Sequence, residues 1–154
     1  MTSPLRLCVR RSAAPYPEGA ATLVTLRLPS DVSCIEEAVE LVTRHCLAGH
    51  VATETIRFRL RVVLSEALSN AIVRGNREDR TKWVEVRAEL VPESIRVEVT
   101  DEGPGFDPST IPEPLRPEQL DEAQGRGLFL IRKLVDAVQF NEQGNSICMI
   151  LRRS

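Results

Sequence analysis

Apolar residues along this chain follow two repeating patterns, and the switches between them mark out its elements. TLVTLRL at Thr22–Leu28 alternates apolar and polar positions, the period of a half-buried strand. Pro29, Ser30 and Asp31 break it, with Ser30 or Asp31 placed to cap a helix. Ile35, Ala38, Val39, Leu41 and Val42 then recur at helical spacing to about Ala48, and Gly49 ends the run. A second helix is predicted from about Ala52 to Val73. Its stripe is Ile56, Leu60, Val63, Leu64, Ala67, Leu68, Ala71 and Ile72, and Gly75–Asn76 stops it. Alternation returns in KWVEVRAEL at 82–90 and again at Ile95, Val97 and Val99, across a turn at Pro92–Ser94. This reads as a β-hairpin with one wet face. GRGLFLIRKLVDAV opens a further helix at about Gly127. Gln139–Glu142 and Ser146–Leu151 read as a closing hairpin around Gln143–Gly144–Asn145.

Two stretches lack either period. Residues 1–20 hold Pro4, Pro15, Pro17 and Gly19 and read as a loose arm, with a short strand at Leu5–Val9. Residues 21–154 then form one domain. Phe106–Gln124 holds four of the ten prolines, and a loop that long inside a compact domain is usually functional or disordered. The order is strand, helix, helix, two strands, loop, helix, two strands. Strands joined by hairpins are antiparallel. The expected fold class is therefore α/β (α+β): a two-layer sandwich of a mixed, mainly antiparallel sheet with helices on one face.

Composition excludes several classes. A chain of 154 residues is one domain and buries enough surface to fold without disulfides or metal. Cys8, Cys34, Cys46 and Cys148 fit no zinc or redox spacing and read as reduced small hydrophobes. With 20 basic against 22 acidic residues there is no global positive field for nucleic acid, and aromatics at 4% leave no base-stacking surface. No apolar run reaches a membrane span, and the first residues lack a signal-peptide core. A cytoplasmic protein with no membrane and no direct nucleic-acid partner is expected.

Three segments carry chemistry. Glu66 and Asn70 lie four apart on the second helix and share a face, where a carboxylate and an amide hold a divalent ion, position water or abstract a proton. Asp101 ends a strand and is followed by Gly103 and Gly105, an acceptor beside backbone that a ligand can approach closely. Gly125–Arg126–Gly127 stands at a helix start, where free N–H groups and an arginine fork favour an anion. Taken singly, the first and second are better explained by a solvated helix face and a plain turn, and the third also reads as a glycine hinge. A dinucleotide-binding reading of GRGLFL fails because Leu130 stands where the third glycine belongs, and no G-K-[ST] supports a P-loop.

In order, however, the three resemble the GHKL ATPase superfamily. LSEALSNAIVRGN (64–76) looks like its N box, VTDEGPGFDP (99–108) like its first glycine box and QGRGLFLIRKLVDAV (124–138) like its second. Within the superfamily the chain is most similar to the small anti-sigma factor serine-protein kinases of bacterial partner-switching systems. The resemblance spans about residues 22–152. It implies an ATP- and Mg²⁺-dependent serine/threonine kinase with Glu66 as general base and Asn70 as Mg²⁺ ligand. It implies Asp101 as acceptor for the adenine amino group, with Gly103 and Gly105 passing close to the nucleotide. Gly125, Arg126, Gly127 and Leu128 would lie along the phosphates, and residues 106–124 would be an ATP lid that orders on binding. Implied partners are an anti-sigma factor antagonist, a sigma factor or similar regulator, and a second copy in a homodimer. The family often has His–Gly where this chain has Arg74–Gly75, so Arg74 is a phosphate-facing candidate, and the lid carries no lysine. Two other readings stand beside the kinase: a nucleotide-gated binding module without turnover, and a detached histidine-kinase ATPase domain. His45 and His50, the only histidines, have no recognisable phospho-acceptor context.

Overall fold

The structure, a computed structural model, describes residues 3–12, 21–47, 54–91, 93–110 and 123–152. Its strands are β1 (Arg6–Ser12), β2 (Ala21–Pro29), β3 (Trp83–Leu90), β4 (Ser94–Thr100), β5 (Ala137–Phe140) and β6 (Ser146–Arg152). Its helices are α1 (Ile35–Leu47), α2 (Glu54–Ser69) and α3 (Ala123–Leu134). The six strands form one sheet in the order β1-β2-β3-β4-β6-β5, and each pairing is antiparallel.

The register explains the two layers. Val24, Ala88, Val97, Met149 and Val138 are consecutive cross-strand partners, and Leu26, Val86, Val99 and Ile147 make the next row. Because side chains alternate across a strand, these rows share one face, and most of their members are buried. Arg27, Arg87, Glu89 and Arg96 occupy the other face and are exposed. The helices cover the apolar face. All eight residues of the predicted α2 stripe are buried against it. Truncating one of them, as in Leu64→Ala, is expected to cost about 2–5 kcal/mol. Asp31 provides the cap before α1: its Oδ1 accepts from Ser33 N–H at 3.0 Å, at the head of a 3₁₀ turn, Val32–Cys34, that leads into the helix.

The two-layer sandwich agrees with the sequence reading, but several boundaries move. The stretch read as an arm contains β1, seven residues paired along their length with β2, so this strand runs well past Leu5–Val9. The predicted second helix is α-helical only to Ser69; Asn70–Gly75 continues as a π-helical turn. There Asn76 N–H donates to Ala71 O at 2.8 Å, a step of five residues. Helix α3 starts at Ala123, four residues before Gly127, and ends at Leu134, where β5 soon takes over. The GRG segment is thus in the first turns of the helix instead of preceding it. Arg59 on α2 closes that end by donating to the Leu134 carbonyl and to Asp136. Of the loop at 106–124, residues 111–122 lie outside the described residues.

Candidate functional site

The π turn, the β4–α3 loop, the start of α3 and the β5–β6 hairpin surround a cleft of about 640 Å³. Ligand pockets of roughly 300–1,000 Å³ are typical for small molecules. Asn70, Arg74, Asp101, Gly105, Gly125 and Leu128 all line it, so the structure brings together residues from all three sequence segments. Glu66, Gly103, Arg126 and Gly127 do not line the cleft itself.

At one end stands Asp101. Its Oδ1 accepts from Gly103 N–H at 2.7 Å, and its backbone N–H donates to Asn145 O at 2.9 Å. Burial pushes its carboxyl above the ordinary aspartate value; the Gly103 bond and the charge of Lys82 offset this only in part. Two glycines explain how a carboxylate is seated there. A Cβ on Gly75 would collide with the Asp101 carboxyl group, and one on Gly103 would collide with the Gly75 carbonyl oxygen. The end of the π turn and the Asp101 loop therefore interlock backbone against side chain.

Asn70 lines the same cleft and Glu66 lies beside it, one turn earlier on the helix and outside the lining, both half-buried. Gly127 packs directly onto them: a Cβ there would sit 2.7 Å from Glu66 Oε2 and 3.6 Å from Asn70 Nδ2. Gly127 thus lets α3 rest its first turns on the Glu66–Asn70 face. Glu66 and Gly75 are nine positions apart on α2 and its π turn, so one continuous helical stretch carries Glu66, Asn70 and the glycine against which Asp101 sits. Arg126, next to Gly127, is exposed, and Arg74 is exposed at the cleft.

The far wall was not singled out from sequence. Phe140, Gly144, Asn145, Ser146 and Ile147 form it, from the closing hairpin, and Phe106 meets Phe140 edge to face with ring centroids 5.2 Å apart. Gly105 (φ 76°) and Gly144 (φ 78°) adopt left-handed backbone. A Cβ on Gly105 would strike the Gln143 carbonyl oxygen, and one on Gly144 the Phe106 carbonyl oxygen. The glycine in Gln143–Gly144–Asn145 was the available signal, but a hairpin glycine usually marks only a turn. Arg77 was also missed. It lines the cleft, and it and Glu78 hold φ of 54° and 57° without being glycine.

The residues present fit a nucleotide. The cleft offers an apolar wall, a half-buried acceptor at one end and two arginines among its lining residues. Among the described residues no group of three or more His, Cys, Asp or Glu converges. A divalent ion here would complete its shell with phosphate oxygens and water, as Mg²⁺ commonly does, and Asn70 would supply a protein oxygen. No described helix is long and apolar enough to cross a membrane.

Comparison with known proteins gives a family and relatives. The family model described as the histidine kinase-like ATPase domain matches residues 28–151. "Serine-protein kinase RsbW" of Bacillus subtilis (strain 168) is 33% identical over 98 residues, 58% of this chain and 61% of that protein. "Serine-protein kinase RsbW" of Staphylococcus aureus (strain Newman) is 30% identical over 97 residues, with the same two coverages. The chain spans about three-fifths of the length of these curated relatives.

Proposed function

The chain belongs to the histidine kinase-like ATPase domain family, and on that premise we propose that it is an ATP- and Mg²⁺-dependent serine/threonine-protein kinase. It would act in the cytoplasm as an anti-sigma factor of a partner-switching system, phosphorylating an antagonist protein and holding a sigma factor or similar regulator, as a homodimer. The observation that carries this reading is Gly127 lying on Glu66 and on Asn70, which lines the same cleft as the half-buried Asp101. The relatives named as serine-protein kinases support the same direction.

ATP supplies the phosphoryl group when bound. Asp101 accepts from the adenine amino group; a neutral acceptor would discriminate less, because bonds to charged groups are stronger. Gly75 and Gly103 keep that acceptor in place. Asn70 would hold Mg²⁺ through its amide oxygen, and the ion would supply positive charge against the phosphates. Arg74 and Arg126 are charge partners for the phosphates. Glu66 takes the proton of the acceptor serine or threonine hydroxyl, and its position one turn from Asn70 keeps base and metal ligand on one face.

Radiolabelled Mg·ATP incubated with this protein and an anti-sigma factor antagonist protein tests the reading. Acid-stable label on a serine or threonine of the antagonist is expected. ATP binding without transfer would replace the kinase by a nucleotide-gated binding module. Acid-labile label on a histidine of the chain itself would make it a histidine-kinase domain.

A further inference from the structure

Asn76 is polar yet only 1% exposed, and both polar atoms of its side chain are used. Its Oδ1 accepts from Glu102 N–H at 2.8 Å. Its Nδ2 donates to Ser30 Oγ at 2.8 Å and to the Trp83 carbonyl at 3.1 Å. Ser30 extends the link, its Oγ donating to the Lys82 carbonyl at 2.7 Å. One amide therefore ties the end of β2, the start of β3 and the residue after Asp101 to the end of the π turn. An amide suits the place because it alone offers an acceptor and two donors on one short side chain.

The three bonds differ in what they do. Those to Ser30 and Trp83 join strand ends. The bond from Glu102 N–H fixes the peptide plane between Asp101 and Glu102, and that plane sets the direction in which the Asp101 side chain leaves the backbone. Gly75, the preceding residue, leaves room for the carboxylate. Glu102 adds a second restraint, its Oε2 accepting from Trp83 N–H. We propose that Asn76 is a positioning residue for base recognition: through Glu102 N–H it holds Asp101 at the angle that accepts from the 6-amino group of adenine. This inference rests on the ATP-binding reading.

Two readouts test it: calorimetric affinity for ATP and for ITP, which carries a 6-oxo group instead of the amino group, and amide exchange in nucleotide-free protein. In wild type the Glu102 amide is expected to be protected, since it is donated to Asn76; exchange at the free-peptide rate would overturn the proposal before any variant is made. Asn76→Ala is expected to lose about tenfold in ATP affinity, the low end for a bond to a charged group, with ITP affinity held within about twofold. Glu102 and Gly103 amides should exchange faster in it. Ser30→Ala removes the bonds from Asn76 Nδ2 and to the Lys82 carbonyl and leaves Glu102 N–H on Asn76 Oδ1, so it should melt lower and keep the ATP preference. Should Asn76→Ala not fold, Asn76→Asp carries the test, because it keeps the acceptor for Glu102 and loses both donors; it should keep the preference. A folded Asn76→Ala with wild-type preference, or one weakened equally for both nucleotides, would overturn the proposal, as would a folded Asn76→Asp that has lost the preference. Wild type that binds neither nucleotide would overturn the ATP reading instead, and the exchange of Glu102 and Gly103 would still decide whether Asn76 holds their loop.

Discussion

Replacing Gly127 by alanine adds one methyl group at the contact between α3 and the Glu66–Asn70 face. The new Cβ would lie 2.7 Å from Glu66 Oε2, inside the 3.4–4 Å of ordinary contact, while Asn70 Nδ2 at 3.6 Å already falls within that range. The obstructing atom is the tip of a side chain and not backbone, so Glu66 can rotate away and the helix need not move. An off-rotamer glutamate costs about 0.5–1.5 kcal/mol. Alanine gains about 0.8–1.0 kcal/mol over glycine inside a helix. The two nearly cancel, and the variant should fold with stability within about 1 kcal/mol of wild type. Catalysis should not survive so well, because a displacement of about 1 Å at a reacting group can cost 10²-fold. Thermal melts, calorimetric ATP affinity and single-turnover transfer to the antagonist protein, measured on one preparation, separate these effects. The expected result is an unchanged melt, ATP affinity within a few-fold and transfer slowed about 10²-fold. Undiminished transfer by a folded Gly127→Ala would refute the placement of Glu66 as base against this helix.

Three further outcomes are expected. Glu66→Gln should slow transfer by about 10²–10⁴-fold with ATP affinity nearly kept, whereas Asn70→Ala should weaken Mg·ATP binding as well; affinity and single-turnover rate on each variant separate the two. Asp101→Asn should weaken ATP binding about 10- to 100-fold by calorimetry. Its stability should move the other way. Burial raises the Asp101 carboxyl above its usual 3.8. Such a group stabilises the fold below its unfolded value, and that contribution is lost as pH rises through the raised one. At neutral pH the variant's melting temperature should therefore not fall, and a clear drop would contradict the desolvation argument. In wild type, ATP affinity should fall as acidification protonates Asp101, starting above the pH at which an exposed aspartate would titrate. Gly103→Ala should destabilise the nucleotide-free protein by about 1–3 kcal/mol in denaturant titration, because its new Cβ meets the Gly75 backbone carbonyl and nothing flexible can yield.

Much of the fold was legible in the sequence because periodicity records which face of an element is buried. The stripe from Ile56 to Ile72 and the alternation at 82–90 and 95–99 each lie within a short window, and each marks the buried face. The order of the three glycine- and carboxylate-bearing segments likewise carried the family resemblance. Where α2 gives way to a π turn could not be read, since the apolar spacing continues through Ala71 and Ile72 while the change lies in which carbonyl Asn76 N–H reaches. The arm that pairs as β1 was obscured by its prolines and arginines, and its partner strand, not its own pattern, extends it to Ser12.

The site depended still more on tertiary structure. Gly127 meets Glu66, Gly75 meets Asp101, Gly144 meets Phe106 and Asn76 meets Glu102 across sequence separations of 26 to 61. A glycine in a sequence shows only that a side chain is missing; which backbone or carboxylate fills that space is decided when the sheet and helices pack. The sequence alone thus determined most of the elements and named the candidate site residues. Packing alone decided that the closing hairpin walls the cleft and that the buried Asn76 amide takes the N–H of the residue after Asp101, because those contacts join surfaces that no local pattern connects.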